Sequence, residues 1–370
     1  MNTSATPVLT EHQRLNTHGA RAVEPFQQDG ALYLAVPQLA HDLPGQSPAM
    51  TAGEHGAETL VYRWADGVFA LQQSLPVPAG EDAEAFCIGE RRFLATASLR
   101  VGSGPYRMDV DSVLYEWVDS AFQPFQSFAT FAAKQWHHFS FDGRHFLALA
   151  QGITLMPPPE GRSPTSCIYE WDGERFVHRQ DVPAPGVACW GYNWRFMAID
   201  GQRLLAYADH VSDSLLLRWD GERFVPLQVF EEHGGRAFCH FEASGQHWLA
   251  FASLHGESWL YRWTGQGFTR HQRLSGPGGR EFAWLPLGVG YLVQVNFIHG
   301  TREAPLPELK SFVHAWRGDA LALVAEFDTS GGTDAALFEA DGQAFLAVSN
   351  SLTATQSFHT DTVIYRLDLP

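Results

Sequence analysis

A short alternating segment ending in tryptophan returns through the whole chain, and this repeat limits the possible folds more than any other feature. It reads VYRW to Trp64, LYEW to Trp117, IYEW to Trp171, LLRW to Trp219, LYRW to Trp263 and VHAW to Trp316, with a last copy, IYRL, ending at Leu367. The Trp-to-Trp spacings are 53, 54, 48, 44 and 53 residues, about the length of one propeller blade. Each copy is followed by a turn and a second strand carrying Phe and then Gln, as in DGERFVHRQ to Gln180, DGERFVPLQ to Gln228 and TGQGFTRHQ to Gln272. The Asp-Gly pairs read as two-residue hairpin turns, which need positive φ. A Gly/Ala/Pro-rich connector leads to a second hairpin, such as WHHFSFDGRHFLALAQ (136–151) or ALFEADGQAFLAVSN (336–350).

Four strands per repeat and seven repeats predict an all-β fold, a seven-bladed β-propeller of four-stranded antiparallel blades. It forms a single domain over residues 1–370, with a flexible tail at 1–8. The hairpin with the FLA-type strand is the inner pair, A and B, and the YxW hairpin the outer pair, C and D. LTEHQRLN (9–16) is then an orphan D strand and TVIYRLD (362–368) an orphan C strand. The N- and C-terminal strands therefore share the last blade and close the ring, leaving no open end where pairing could continue. The 26 Phe and 12 Trp, beside 34 Gly and 21 Pro, fit many short strands packed through aromatics. No stretch carries a capped helical period.

Composition narrows the function classes. The net charge is −16, from 25 basic and 41 acidic residues, so no nucleic-acid partner is expected. No run approaches 18 apolar residues, so no membrane span is expected. The start lacks a basic stretch followed by an apolar one, which predicts a cytoplasmic location. Cys87, Cys167, Cys189 and Cys239 lack CxxC spacing and fit a reducing compartment. Only Lys134 and Lys310 are lysines, the arginine bias of a GC-rich, bacterial genome.

The combined pattern joins an apolar residue before YxW, a turn, Phe, Gln four residues later, a connector and an FLA-type strand. It resembles the EPTP or EAR (epilepsy-associated) repeat over about residues 9–368. The copies at 112–151 and in the fifth blade are most similar. The sixth departs most: its turn reads LGVG, and its D strand DALALVAEF lacks both Phe and Gln. The resemblance implies a seven-bladed propeller, binding to partner proteins as in animal members, and a cation in the central channel. Without a signal peptide, leucine-rich repeat or laminin-G module in the sequence, the secreted receptor-ligand role is not expected to carry over.

Topology places the D–A connectors and B–C loops on one face and both tight hairpins on the other. The B–C loops at 39–59, 99–111, 152–165, 297–310 and 351–360 are long, while those at 210–212 and 254–257 are short. This elaborated face is expected to carry the function. The B strands end in Gln38, Ser98, Gln151, Asp209, Ser253, Asn296 and Asn350. Those side chains either staple loop backbone or form a polar ring, with Asp209, Asn296 and Asn350 facing a ligand.

Counted seven residues back from the A–B turn, the A-strand starts are Ala22, Asp82, Gln135, Asn193, Ala237, Arg280 and Asp334. Glu84, His137 and Arg195 lie two residues further on. Asp82, Asp334, Gln135 and Asn193 can offer oxygens to Ca²⁺ in the channel, in competition with a salt bridge to Arg280. Asp82, Glu84, His137 and Asp334 would be the catalytic set of an acid–base enzyme at the channel mouth, of lyase, cyclase or hydrolase type. Trp136, Trp190 and Trp194 either floor an apolar pocket or pack between blades, and Arg195 and Arg280 join the ligand face. The leading expectation is a monomeric binding module that recognises a protein or small ligand on the long-loop face. An enzyme is the alternative, and a carbohydrate lectin a lesser one. A cavity of a few hundred Å³ would favour a small molecule, and a flat annulus a protein.

Overall fold

The computed structural model describes residues 7–183, 187 and 189–368. These residues form seven four-stranded antiparallel sheets arranged as a seven-bladed β-propeller. No helix is present among them, hence none long and apolar enough to cross a membrane. Blade 1 runs outward from its A strand as Glu24–Gln28, Ala31–Val36, Thr59–Ala65 and Val68–Leu75. The A strands of blades 2 to 6 are Gly80–Ile88, Gln135–Phe141, Gly191–Ile199, Gly235–Ala243 and Gly279–Leu285. A strands of neighbouring blades touch one another around the axis.

Blade 7 consists of Gly332–Ala340, Gln343–Asn350, Thr362–Asp368 and the N-terminal Val8–Leu15, in that order. The two ends of the chain thus close the ring as expected, with Val8 opposite Asp368. The tail expected over 1–8 falls mostly outside the described residues, and Val8 already belongs to the closing strand.

The recurring residues hold one blade to the next. Gln180 Nε2 donates to the Phe224 carbonyl at 2.7 Å, and its Oε1 accepts the Phe224 N–H at 3.0 Å. Gln13, Gln73, Gln126 and Gln228 clamp Phe69, Phe122, Phe176 and Phe268 in the same way, and Gln272 clamps Leu321. D strands are the outer edges of their sheets, so these clamps satisfy backbone groups that the ladder leaves unpaired. In blade 6 the position is Ala325, and Leu9 of blade 7 receives no clamp from it; both pack instead in the apolar cluster between the two blades. The tryptophans do similar work nearer the axis. Trp64, Trp117 and Trp263 donate their indole N–H to Asp341, Asp29 and Asp200 in the A–B turn of the preceding blade.

Those A–B turns are the two-residue hairpins: Asp29 and Gly30 have φ of 51° and 73°, and Asp142–Gly143, Asp200–Gly201 and Asp341–Gly342 follow suit. The Asp-Gly pairs after Trp171 and Trp219 differ from the expectation. There the strands stop at the Trp and resume at Phe176 and Phe224. Only the glycine has positive φ, and Asp172 Oδ1 instead accepts the N–H groups of Glu174 and Arg175. A side-chain turn of this type lets Asp shape a four-residue loop.

Candidate functional site

Five of the seven A strands open with a bulge. Gly80 pairs with Ser98 and Asp82 with Ala97, which leaves Glu81 over. The same slip frees Tyr192, Arg236, Arg280 and Thr333. A bulge re-aims the extra side chain. In blades 1 and 3 the corresponding residues are Arg21 and Lys134, just ahead of their A strands. The glycine before the bulge is required by space: a Cβ on Gly191 or Gly279 would fall 2.4 or 2.5 Å from the hydroxyl of Ser166 or Ser258. The result is a waist of seven side chains that separates two chambers of the channel, with Arg21, Glu81, Lys134 and Tyr192 bordering both.

The chamber above the waist is a cavity of about 580 Å³ on the long-loop face. Its wall comes from the loops and is largely apolar, with Leu39 and Met50, Leu99 and Met108, Ile153, Leu254 and Phe297, and Trp190 from a connector, interrupted by His210, His255, His299 and Arg302. Its floor is cationic. Arg21, Lys134 and Arg236 are buried there, and Arg100 is buried beside them. Glu81 is the carboxylate in this lining, and it is already engaged by Arg21 at 3.0 Å and Arg280 at 3.7 Å. Burial alone would raise its pKa, yet Arg21, Lys134 and Arg280 together hold it below the ordinary value.

The cations are imperfectly matched. Arg236 stacks on the Tyr192 ring at 3.8 Å, while its Nε and Nη1 have no acceptor among the described residues. Lys134 Nζ donates to the Ala132 carbonyl at 3.1 Å. Burial pushes the Lys134 ammonium down to about 7, and Arg21, Arg236 and Arg100 push the same way against Glu81. Arg100 donates to His55 Nε2 at 2.9 Å and lies over Tyr106, and its pKa falls to about 10, chiefly through burial. Trp190 Nε1 and His210 Nδ1 are also buried at this wall without a partner among the described residues.

Below the waist lies an acidic chamber of about 430 Å³ that includes Glu24, Asp82, Glu84, Glu281 and Asp334, with Arg195 among them. Burial raises Glu281 to about 8 and Asp334 to about 6, and neighbouring carboxylates add to the rise of Asp82. Of the expected site residues, Asp82, Glu84, Gln135, Arg195, Arg280 and Asp334 border this chamber, and the acceptors among them lace blades together. Asp82, Gln135, Asn193 and Asp334 accept the N–H groups of Trp136, Trp194, Phe238 and Val23 in the next blade, at 2.6–2.9 Å. Glu84 accepts from His138, and His137 Nε2 accepts from Phe196 while its Nδ1 meets Glu84 at 3.4 Å.

The residues expected to offer oxygens to Ca²⁺ each commit an oxygen to a backbone amide of the next blade, and among the described residues no group of three or more His, Cys, Asp or Glu is placed to hold a metal ion. Of the acid–base set, Asp82, Glu84 and Asp334 line the opposite chamber and not the mouth, and His137 sits beside Glu84.

The ligand-face residues divide. Trp190 lines the mouth cavity, whereas Trp136 and Trp194 are fully buried between blades, with Trp136 Nε1 bonded to the Thr96 carbonyl. Arg195 belongs to the lower chamber and donates to the Phe238 carbonyl. Arg280 is a waist residue: its blade has a five-residue A–B turn, so counting back from the turn sets it one place too late, and Glu281 is the counterpart of Asp82. Asp209, Asn296 and Asn350 are buried loop staples. Asp209 takes the N–H groups of Trp190, Val211 and Ser212, Asn296 donates to Lys310, and Asn350 bridges Ser330 and Asp361. The cationic floor was not anticipated. Its one sequence signal is the residue after the glycine that opens an A strand, as in Gly235-Arg236, and the bulge hides it because it breaks strand alternation.

Comparison with known proteins adds the family context. Residues 9–65, 121–172 and 223–264 match the EPTP domain. The human thrombospondin-type laminin G domain and EAR repeat-containing protein is 29% identical over 206 residues, which is 54% of this chain and 27% of that protein. Its mouse counterpart is 30% identical over 207 residues, with the same coverage. The chain thus spans about a quarter of the length of the curated relatives it matches. Each matched segment begins at the D strand of one blade and ends at or just past the C strand of the next, so the sequence repeat straddles the blade boundary.

Proposed function

From the premise that this chain is a seven-bladed propeller of the EPTP-repeat family, we propose that it is a binding module that takes a small molecule into the cavity at its channel mouth. The observation that carries this is the concave mouth. About 580 Å³ is floored by the waist and walled largely by apolar loop residues, a size and lining ordinary for a small-ligand pocket. A protein partner would be better served by a broad exposed annulus. The experiment is a thermal-shift screen of wild type beside Leu254→Trp, which puts an indole into the cavity. Small molecules that raise the wild-type Tm are expected to lose that effect in Leu254→Trp. If every stabilising compound acts equally on both proteins, binding occurs elsewhere and the reading fails.

A further inference from the structure

Granted a small molecule in the mouth cavity, a reading on which this inference rests, the chemistry of the lining narrows its class. We infer that the ligand is an amphipathic organic anion, with a carboxylate or phosphate head on Arg236 and Lys134 and an apolar body between the B–C loops. Arg236 is 6% exposed, and among the described residues two of its nitrogens, Nε and Nη1, lack acceptors. A buried cation is costly unless an anion or hydrogen-bond acceptors meet it. Within the lining, the carboxylate that could do so is Glu81, and Arg21 and Arg280 already hold it. The floor therefore has cationic donors to spare. Trp190 Nε1, unpartnered among the described residues at the same wall, supplies a neutral donor for a further head-group oxygen.

The wall decides against a small inorganic ion. An ion on the floor would leave most of the 580 Å³ lined by Leu39, Leu99, Met108, Ile153 and Leu254 in contact with water. An apolar body removes that surface from water at about 25 cal/mol per Å². The protein as a whole carries −16, so its long-range field repels polyanions. A ligand with one anionic head and a long apolar part suits both conditions.

The test is calorimetric titration of the full chain with dodecanoate, dodecyl phosphate and dodecanol below their micelle concentrations. On wild type at least one of the two anions is expected to bind on the order of tenfold tighter than the alcohol, a difference of about 1.4 kcal/mol. The tighter anion identifies the head group. In Arg236→Gln the preference for the anion over dodecanol is expected to collapse to less than about threefold, a difference below about 0.7 kcal/mol. Lys134→Met serves as the second variant if Arg236→Gln does not fold. Equal binding of dodecanol and both anions to wild type, abolished for all three by Leu254→Trp, would overturn the anion inference and leave the cavity reading standing. Binding of none of them to wild type, or equal binding to wild type and Leu254→Trp, would overturn both.

Discussion

Arg236 and Lys134 are held in a state that a purely structural role would not select. An arginine that stabilises a fold has its donors met, and removing it costs stability. Arg236 has two nitrogens without acceptors and Arg280 and Arg21 nearby, so Arg236→Met is expected to leave the ligand-free Tm unchanged or higher by differential scanning calorimetry. A fall of several degrees would make it structural. Lys134 supplies a pH signature with two signs. Its pKa of about 7 in the folded chain lies below the ordinary 10.5, so the unfolded chain binds the extra proton between those values. Ligand-free stability therefore rises as pH goes from about 7 to 10.5 and is lost as pH falls back through 7. Affinity for an anion moves the other way, weakening above pH 7 as the ammonium is lost, and Lys134→Met is expected to flatten both curves. Glu81, Arg21, Arg236 and Arg100 are the charges that set this balance. Glu281, raised to about 8, contributes in the opposite sense. Stability associated with its protonated form is present below about pH 4.5 and is lost as pH rises to 8, so Glu281→Gln should remove that slope from urea unfolding curves.

At the level of strands, the repeat was legible because its residues recur for a mechanical reason. Phe and Gln return together since the Gln closes on the backbone of the next blade's Phe, as Gln180 does on Phe224, and in one case of its Leu, as Gln272 does on Leu321. The break in the pattern at Ala325 marks the interface without a Gln clamp, between blades 6 and 7. Ala325→Gln should complete the set by bonding Leu9, with a gain of about 1 kcal/mol in chemical denaturation, whereas Gln180→Ala should cost about 1–2 kcal/mol. If Ala325→Gln destabilises, the apolar packing of Leu9 at that interface outweighs the clamp. The waist was not legible for an equally mechanical reason. Strand alternation predicts side-chain direction only in register, and the bulges at Glu81, Tyr192, Arg236, Arg280 and Thr333 each shift it by one. Sequence reasoning therefore reached Asp82, Asn193 and Asp334, one residue beyond the groups that floor the cavity. Of the two readings open for the acids and tryptophans, the structural one prevails at most positions, since the inner strand edges need acceptors and the blades need filler. Asp82 meets Trp136 for the first reason, and Trp194 is buried for the second.

For the molecule as a ring, closure by strands from both ends makes every interface depend on the others. We expect one cooperative thermal transition, and limited proteolysis that cuts loops before it releases any folded fragment. Two separable transitions would show that the blades are divided into independent units. Removing residues 7–15 strips the outer strand from blade 7 and exposes the edge of Thr362–Asp368. That truncated chain should be markedly less stable and prone to associate through the bare edge. The pairing of Val8 with Asp368 also decides how the molecule can be mounted. A D strand runs toward the face that carries the connectors, and a C strand runs away from it, so Val8 and Asp368 both lie on the hairpin face. A linker, an affinity tag or a neighbouring module attached at either position would hang from the underside like a stem beneath a bowl. The opening that admits a ligand would then point outward, unobstructed, whichever end is used as the anchor.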